Sequence, residues 1–507
     1  MSLLRVDQLS PNDDSVVINV SDLVDKSIGL SSSIINMPSP DTRSLAEWSD
    51  DFISVKKYGA IGDGTTDDSA AFALAYASGN PIFIPSGSYK ITQNIGSLTD
   101  GSAPVWVGSG KSKILLSGDG GFLVSGQGWV IKGLDFIPTG VVPFAIKTGV
   151  VGDNHRSIIQ KCNFYTASED SDNYFSVTID LYSCWYISID NCYLRNYGQL
   201  NFGNTGLGIG IQTSYCVNII ITNNTIGGFN KGFYDTGSSI NSHKSEGIFF
   251  KSNLFVKNNY HIDITDALYF NILGNMIDLP LSGGYPIRAL GAQHLIEGNW
   301  IVAETYPVII GNGTQYGDRH IVRNNQFGGL ASEGTTLLAI KESNYVSVSG
   351  NKFFQGAQAA SVNGSADHLT FTDNQIVNAT DNAYDFSLAT TSIVGRNQVS
   401  GGNTSRTISD STQLIPIQTT FESTFTVAAV AAGGTTTVTV SINAGTFTNA
   451  PDYANFVTGS NMQVIARYVK ASSSATLLTF NIVASDAAIT AGTYACYVTA
   501  GSVTDAR

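Results

Sequence analysis

The chain has 507 residues, enough for several domains; only 13% are charged and 52 are glycine. That balance excludes a disordered chain, disfavours a helical one and points to a turn-rich all-β protein. The net charge of −13 argues against nucleic acid as a partner.

No run is long and apolar enough for a membrane-spanning helix, so no membrane insertion is expected. The opening MSLLRVDQLSPNDD lacks the apolar core of a signal peptide. The five cysteines show no spacing with histidine that would hold a metal, and no cofactor is expected.

Residues 1–48 carry Pro11, Pro38, Pro40 and the run SSSII, and show no periodicity, so they read as a small lead segment. Near residue 50 the character changes. ISVKKYGAIGDGTTDDSAAFALAYASGNPIFIPSGSYKI reads as strand, glycine-rich turn, short helix and strand. Asp67 and Asp68 fall at the helix start, where carboxylates cap free N–H groups. The motif GxDGxxDD is therefore expected to build the turn and the helix entry. It is not a phosphate loop, because no lysine follows the glycines at the required place. The helix is expected over Ala70–Ala77, and 49–125 read as a helical cap with the first coils.

From Val130 to Ser400 eleven short segments match, for example IITNNTI, NILGNMI, LIEGNWI and LTFTDNQI. Their reference positions are Leu134, Cys162, Cys192, Asn224, Asn253, Asn275, Asn299, Asn325, Asn351, Asn374 and Asn397, spaced 22 to 32 residues apart. Such a period means a stacked repeat. Three places before and two places after each reference position the residue is always apolar, as in Ile221 and Ile226, or Val348 and Phe353. The residue just before is usually Gly, Asn, Asp or Ser, which tolerate a left-handed bend. The asparagines themselves suit an amide ladder between stacked strands. Small residues eight places earlier, among them Cys184, Cys216, Ser245 and Ala267, mark an earlier corner. Each coil thus has three short strands and three turns. The predicted fold is an all-β, right-handed parallel β-helix of about eleven or more coils over 126–412. A small N-terminal segment precedes it, and a β-sandwich-like domain follows. Cys162 with Cys192, and Cys184 with Cys216, share columns and read as buried free thiols.

After about Thr412 the pattern turns to period two in FESTFTVAAVAAGGTTTVTVSI, TLLTFNIVA and GTYACYVTAG, so 413–507 read as a separate β domain.

The register also locates outward positions on the first strand of each coil. Counting back gives Thr178, Asp180 and Tyr182; Gly210, Gln212 and Ser214; Ser239, Asn241 and His243; His261, Asp263 and Thr265. Asp180, Gln212, Asn241 and Asp263 form a polar stripe, continued by Arg288. The longest coils carry the inserts YTASEDSDNYFS, RNYGQLNFGNTG and GGFNKGFYDTGSS. Their aromatic rings stack on sugars and their amides bind hydroxyls, and long loops on a rigid scaffold are where function concentrates.

Two carboxylates about 5 Å apart, or roughly 6.5–9.5 Å apart, are needed for glycoside hydrolysis. Asp180 and Asp263 lie three coils apart, about 14 Å, too far to act as a pair. Each needs a loop partner: Glu169, Asp170 or Asp172 beside Asp180, and Asp235 beside Asp263. Asp235 with Asp263 is the favoured pair. Glu169, Tyr182, Gln212, Asn241, His243 and Arg288 are the candidate glycan-binding residues. A lyase would instead need a base and cations against a uronate, and His243 and Lys244 with Arg288 or Tyr182 could supply them. The scarcity of Lys and Arg favours the hydrolase.

VKKYGAIGDGTTDDSAAF and the later PSGSYKI, through Tyr58, Gly59, Ala60, Gly62, Asp63, Gly64, Asp67, Asp68, Ala71, Pro85, Gly87 and Tyr89, resemble the opening of the pectate-lyase-like domain of bacteriophage tailspikes and tail-associated depolymerases. The resemblance, extended by the ladder, covers about residues 50–400. It implies a homotrimer in the virion tail, attached through residues 1–48 to a phage tail or baseplate protein, with 413–507 locking the trimer or binding carbohydrate. It implies binding and cleavage of a bacterial surface polysaccharide (capsule, exopolysaccharide or O-antigen). A non-catalytic glycan receptor and a structural spacer are the alternatives.

Overall fold

A computed structural model describes residues 52–502. Within that span it leaves out 150–153, 168–172, 197–205, 238–243, 279, 282–283, 304–305, 312–318, 330–334, 365, 403–405, 409–411, 416, 442–450, 452, 459–463, 475–476 and 485–487. The proposed lead segment therefore lies outside the described residues.

The glycine-rich motif builds the entry to the fold. Asp68 is buried and accepts the N–H groups of Ile61 (2.7 Å) and Gly62 (3.1 Å). Asp63 accepts from the N–H groups of Thr65 and Thr66, and Asp67 from the N–H and hydroxyl of Ser69. Gly62 has φ +70, and a Cβ there would come within 2.7 Å of the Tyr89 ring. The helix runs Ser69–Ala77, one residue earlier than expected. Asp68 does not cap it, because its carboxylate is turned back into the loop. The helix buries Ala71, Phe72 and Ala75, and Phe72 stacks on Trp106 with centroids 5.8 Å apart. It thereby covers the end of a stacked array, as such arrays require.

Beyond the cap the chain winds as a parallel solenoid with three strands per coil. One face, called face one here, is a continuous parallel sheet of thirteen strands, from Asn94–Gly96 to Arg406–Ile408. The two shorter strands of each coil stack into faces two and three. The register is that of the repeat: Ile189 pairs with Ile221, Ile221 with Phe250 and Phe250 with Ile272, while Leu194 pairs with Ile226 and Ile226 with Phe255. Both columns are buried along the stack. At about 1.5–3 kcal/mol for each buried aliphatic side chain, they are a main source of stability.

The asparagines form the expected ladder. In seven successive links from Asn224 to Asn397, the Oδ1 of one asparagine accepts the Nδ2–H of the asparagine one coil earlier, at 2.9–3.1 Å. The same oxygen also accepts that residue's backbone N–H, at 2.8–3.0 Å. Each Nδ2 additionally donates to a carbonyl of the preceding coil, as Asn299 does to Ile272 (2.7 Å). The bend before each reference position is left-handed, and it holds even Lys161 (φ 53) and Arg396 (φ 54). A second left-handed corner lies six places before the reference, at Arg156, Tyr186, Asn218, Tyr269, Gln293, Arg319, Tyr345 and His368. Composition gives no hint of it. The small residues eight places before the reference mark a bend of their own: left-handed residues stand at that position in Gly126 and Gly291, and just before it at Ser183, Tyr215 and Glu342.

All five cysteines are buried and free, and the four in the solenoid fill stack positions. Three histidines are buried as well. The His294 and His320 rings lie tilted against each other in adjacent coils (5.0 Å), and Nδ1 of His320 accepts the N–H of His294. His261 lies on face one with Nδ1 bonded to Asn258.

From Ile417 onward the strands are antiparallel. Gly492–Ser502 pairs with Ile417–Val427 and Tyr453–Thr458, and Leu477–Ala484 pairs with Thr435–Ser441 and Val464–Tyr468. They enclose a core that includes Val440, Phe480, Ile482 and Val498.

The ladder makes a differential prediction. Asn299→Ala removes the acceptor of two Asn275 donors inside the core, and unsatisfied buried groups cost about 1–3 kcal/mol each. It should lower stability in urea unfolding by roughly 2–5 kcal/mol. Asn224→Ala, at the ladder's start, strips the Cys192 N–H of its single acceptor and should cost less. Equal losses would contradict the ladder's role.

Candidate functional site

Face one carries the polar stripe, but its geometry differs from simple alternation. Two consecutive residues of each strand point inward: Thr178 and Ile179, Gly210 and Ile211, Gly232 and Phe233, His261 and Ile262. Thr178 and His261 are therefore buried, not outward as alternation alone predicts. Two outer columns, three residues apart, flank this inward pair. One runs Lys147, Asp180, Gln212, Tyr234, Asp263, Arg288. The other runs Phe144, Val177, Ile209, Lys231, Tyr260.

Tyr234 thus occupies the place expected for Asn241. The segment GGFNKGFYDTGSS, read as an insert, contains the strand Lys231–Asp235. The extra length of that coil falls after the strand, so counting back from Asn253 stops short of it. Asn241 and His243 lie outside the described residues, as does Glu169 with Asp170 and Asp172. The register confirms three coil steps between Asp180 and Asp263, about 14 Å.

The acids on face one are engaged. Asp180 pairs with Lys147 (3.2 Å) and accepts from Gln212 Nε2 (3.0 Å). Asp263 is fully buried between two cations: Lys231 Nζ at 2.8 Å, and Arg288 through Nε at 2.6 Å and Nη2 at 2.9 Å. Lys231 sits 3.3 Å from the centroid of the Tyr234 ring, and the Arg288 guanidinium lies 5.3 Å from that of Tyr260. Tyr260 stacks on Tyr285 (5.5 Å, 22°), and Tyr285 contacts Tyr306 (4.5 Å). This tyrosine run was missed from the sequence because Tyr285 and Tyr306 lie just ahead of their strands, outside the columns the repeat defines.

Asp235 does not join Asp263. It pairs with Ile264 across the strands, while Tyr234 pairs with Asp263, so the two carboxylates point to opposite sides of the sheet. The expected Asp235–Asp263 pair is not formed. Asp235 is buried and accepts from the Thr213 hydroxyl (2.9 Å) and the Gly237 N–H (3.0 Å). Burial pushes it up to about 6 against these bonds. Of the residues in the lyase alternative, Lys244 forms an ion pair with Asp266, and Arg288 is bound to Asp263. Tyr182 is half-buried one rung from Ser214. Among the described residues, no group of three or more His, Cys, Asp or Glu side chains is placed to hold a metal ion.

Residues 52–269 match the family model described as rhamnogalacturonase A/epimerase, pectate lyase-like. Two curated phage proteins are similar to parts of the chain. The pre-neck appendage protein of Bacillus phage B103 is 54% identical over 43 residues, covering 8% of this chain and 5% of that protein. The preneck appendage protein of Bacillus phage PZA is 28% identical over 162 residues, covering 30% of this chain and 18% of that protein. The chain thus matches under a fifth of the length of these relatives. Among solved structures, a double mutant of the tailspike protein of E. coli bacteriophage HK620 is 12% identical, with TM-score 0.50, covering 95% of this chain and 99% of that one. At that identity the likeness is one of fold. The resemblance to phage tailspikes read from the opening motif is supported by these matches together.

The buried titratable groups fix a pH dependence. Burial lowers His261 to about 3 and His294 to about 4, and burial with the neighbouring His294 holds His320 well below the usual imidazole range. An unfolded imidazole takes its proton near pH 6.5, so each histidine's contribution is present above about 6.5 and lost as pH falls toward its folded value. Asp235 has the opposite sign, since the folded carboxyl takes its proton near 6 and the unfolded one near 4. Three histidines against one carboxyl leave a net uptake of about two protons on unfolding near pH 5, a slope of up to about 3 kcal/mol per pH unit. Urea midpoints should therefore fall between about pH 7 and about pH 5. A flat or rising midpoint would contradict these assignments.

Proposed function

We propose that this chain is a phage tail protein that binds a bacterial surface polysaccharide along face one and depolymerises it. The observation that carries the reading is the outer surface of face one. From Lys147 to Tyr306 it presents amide, carboxylate, cationic and tyrosine groups in one track along a rigid stack. A linear glycan laid along the coil axis meets one such group per coil. The pectate-lyase-like solenoid and the phage relatives support a place in the virion tail. A homotrimer attached through residues 1–48, with 413–507 at its far end, belongs to the same proposal.

For the chemistry, hydrolysis is assigned to the Asp180 end of the track. Asp263 is neutralised by Lys231 and Arg288, and Asp235 faces the core, so neither is available as an acid or nucleophile on this face. Asp180 lies on the outer surface, with its strand following directly on the insert that carries Glu169, Asp170 and Asp172. Asp180 would act as nucleophile or base, and one of those acids as proton donor. A second reading, a receptor that binds glycan without cutting it, draws on the fact that Asp180 is itself held by Lys147 and Gln212.

The readings separate in one assay. Purified capsular, exopolysaccharide and O-antigen preparations are incubated with the protein, and the products are sized and examined for the ultraviolet absorbance of an unsaturated uronate end. Hydrolysis predicts shorter chains without that absorbance, and Asp180→Asn should reduce the rate about 100-fold or more while binding persists. Absorbing products would assign a lyase. Binding without shortening would assign the receptor.

A further inference from the structure

We infer that the upper coils of face one hold a subsite for a sugar carrying an anionic group, so that the polysaccharide is an acidic one; the inference rests on the glycan-binding reading above. The subsite comprises Lys231, Arg288 and Asp263 with Tyr260, Tyr285 and Tyr306.

The charges come first. Two cations enclose one carboxylate, so the cluster carries one net positive charge on a chain whose own net charge is −13. Asp263 is fully buried, but Lys231 and Arg288 keep 19% and 28% of their side chains exposed, so the unbalanced charge lies on the outer surface. Arg288 uses Nε and Nη2 on Asp263. Among the described residues its Nη1 has no hydrogen-bond partner. A guanidinium held rigid on one edge, with donors left on another, suits the oxygens of a carboxylate or a phosphate.

The stack does not require charge at this place. The same column continues from Arg288 to Ile309 and Ala339 in the next two coils. Apolar side chains fill those rungs, whereas enclosing a carboxylate between cations costs desolvation that a hydrophobic residue avoids. The tyrosines supply the second half of the site. Tyr260, Tyr285 and Tyr306 rise one per coil beside the cations, and Tyr306 is 36% exposed. Their rings offer apolar faces for pyranose C–H groups, while Lys231 and Arg288 lie over the Tyr234 and Tyr260 rings at 3.3 and 5.3 Å. One sugar can therefore stack on tyrosine while its acidic substituent meets the guanidinium.

The test uses the full chain and polysaccharide from a strain to which it binds. Binding is measured with the native polymer, with polymer whose carboxyls have been reduced to alcohols, and with polymer freed of phosphate by hydrofluoric acid. Wild-type protein should lose about tenfold in affinity on one of the two treatments, and which one identifies the anion. Arg288→Gln should lose about as much on the native polymer and nothing further on the treated one. Tyr306→Ala, a change at an exposed ring, should weaken binding to native and treated polymer alike, and it keeps the test available if Arg288→Gln fails to fold. The inference is overturned if both treated polymers bind as tightly as the native one, or if Arg288→Gln weakens native and treated polymers equally. A protein that binds no surface polysaccharide overturns the underlying reading as well.

Discussion

From Asn224 to Asn397 each coil of the solenoid is held in register with the next by a buried amide. The asparagine Oδ1 takes two N–H bonds from the coil before it, and its Nδ2 reaches both neighbouring coils. The buried apolar columns set the same register, because shifting one coil by a residue would exchange inward and outward faces. With the amides paired, the flanking apolar columns meet their own kind in every coil, and the outer columns of face one align as well. The polar track is therefore a consequence of the register that the apolar columns and the ladder share. A face one residue out of register would bring Tyr234 opposite Ile262 or Ile264 rather than Asp263.

That constraint explains the division of labour among the charged and polar groups. Groups that face inward, such as Asp235, His261, His294 and His320, are satisfied by near neighbours or held neutral by burial. Groups that face outward on face one pair across coils: Lys147 with Asp180, Asp180 with Gln212, Lys231 and Arg288 with Asp263. These pairs run parallel to the stack, so they strengthen the same coil-to-coil contact as the asparagines. They also present a surface whose sign changes along its length, with an acid near the long inserts and excess positive charge near the tyrosines.

The repeat was legible in the sequence because its signal is strict. The apolar columns and the asparagines stand at fixed offsets, and the structure pairs them as the offsets require. Asp180, Gln212, Asp263 and Arg288 were placed on one column for the same reason. The failures have local causes. The coil ending at Asn253 carries its extra length after its face-one strand, so counting back gave Asn241 where Tyr234 stands. The strand itself, KGFYD, has too few apolar residues to stand out from a loop. The inward pair at Thr178–Ile179 and His261–Ile262 breaks period two, and nothing in a threonine or a histidine announces that it points inward. The same miscount puts Asp235 in a loop and beside Asp263. Tyr285 and Tyr306 precede their strands, where a repeat-based reading has no column for them.

The central claim is that face one, from Asp180 to Tyr306, is the glycan-binding surface. A crystal structure of the protein with an oligosaccharide cut from a polymer it binds tests this most directly. The account predicts a chain of sugars running along the coil axis on face one, with one ring against Tyr260 or Tyr285 and an acidic group within hydrogen-bond distance of Arg288. An oligosaccharide seated on face two or face three, with face one bare, would contradict it.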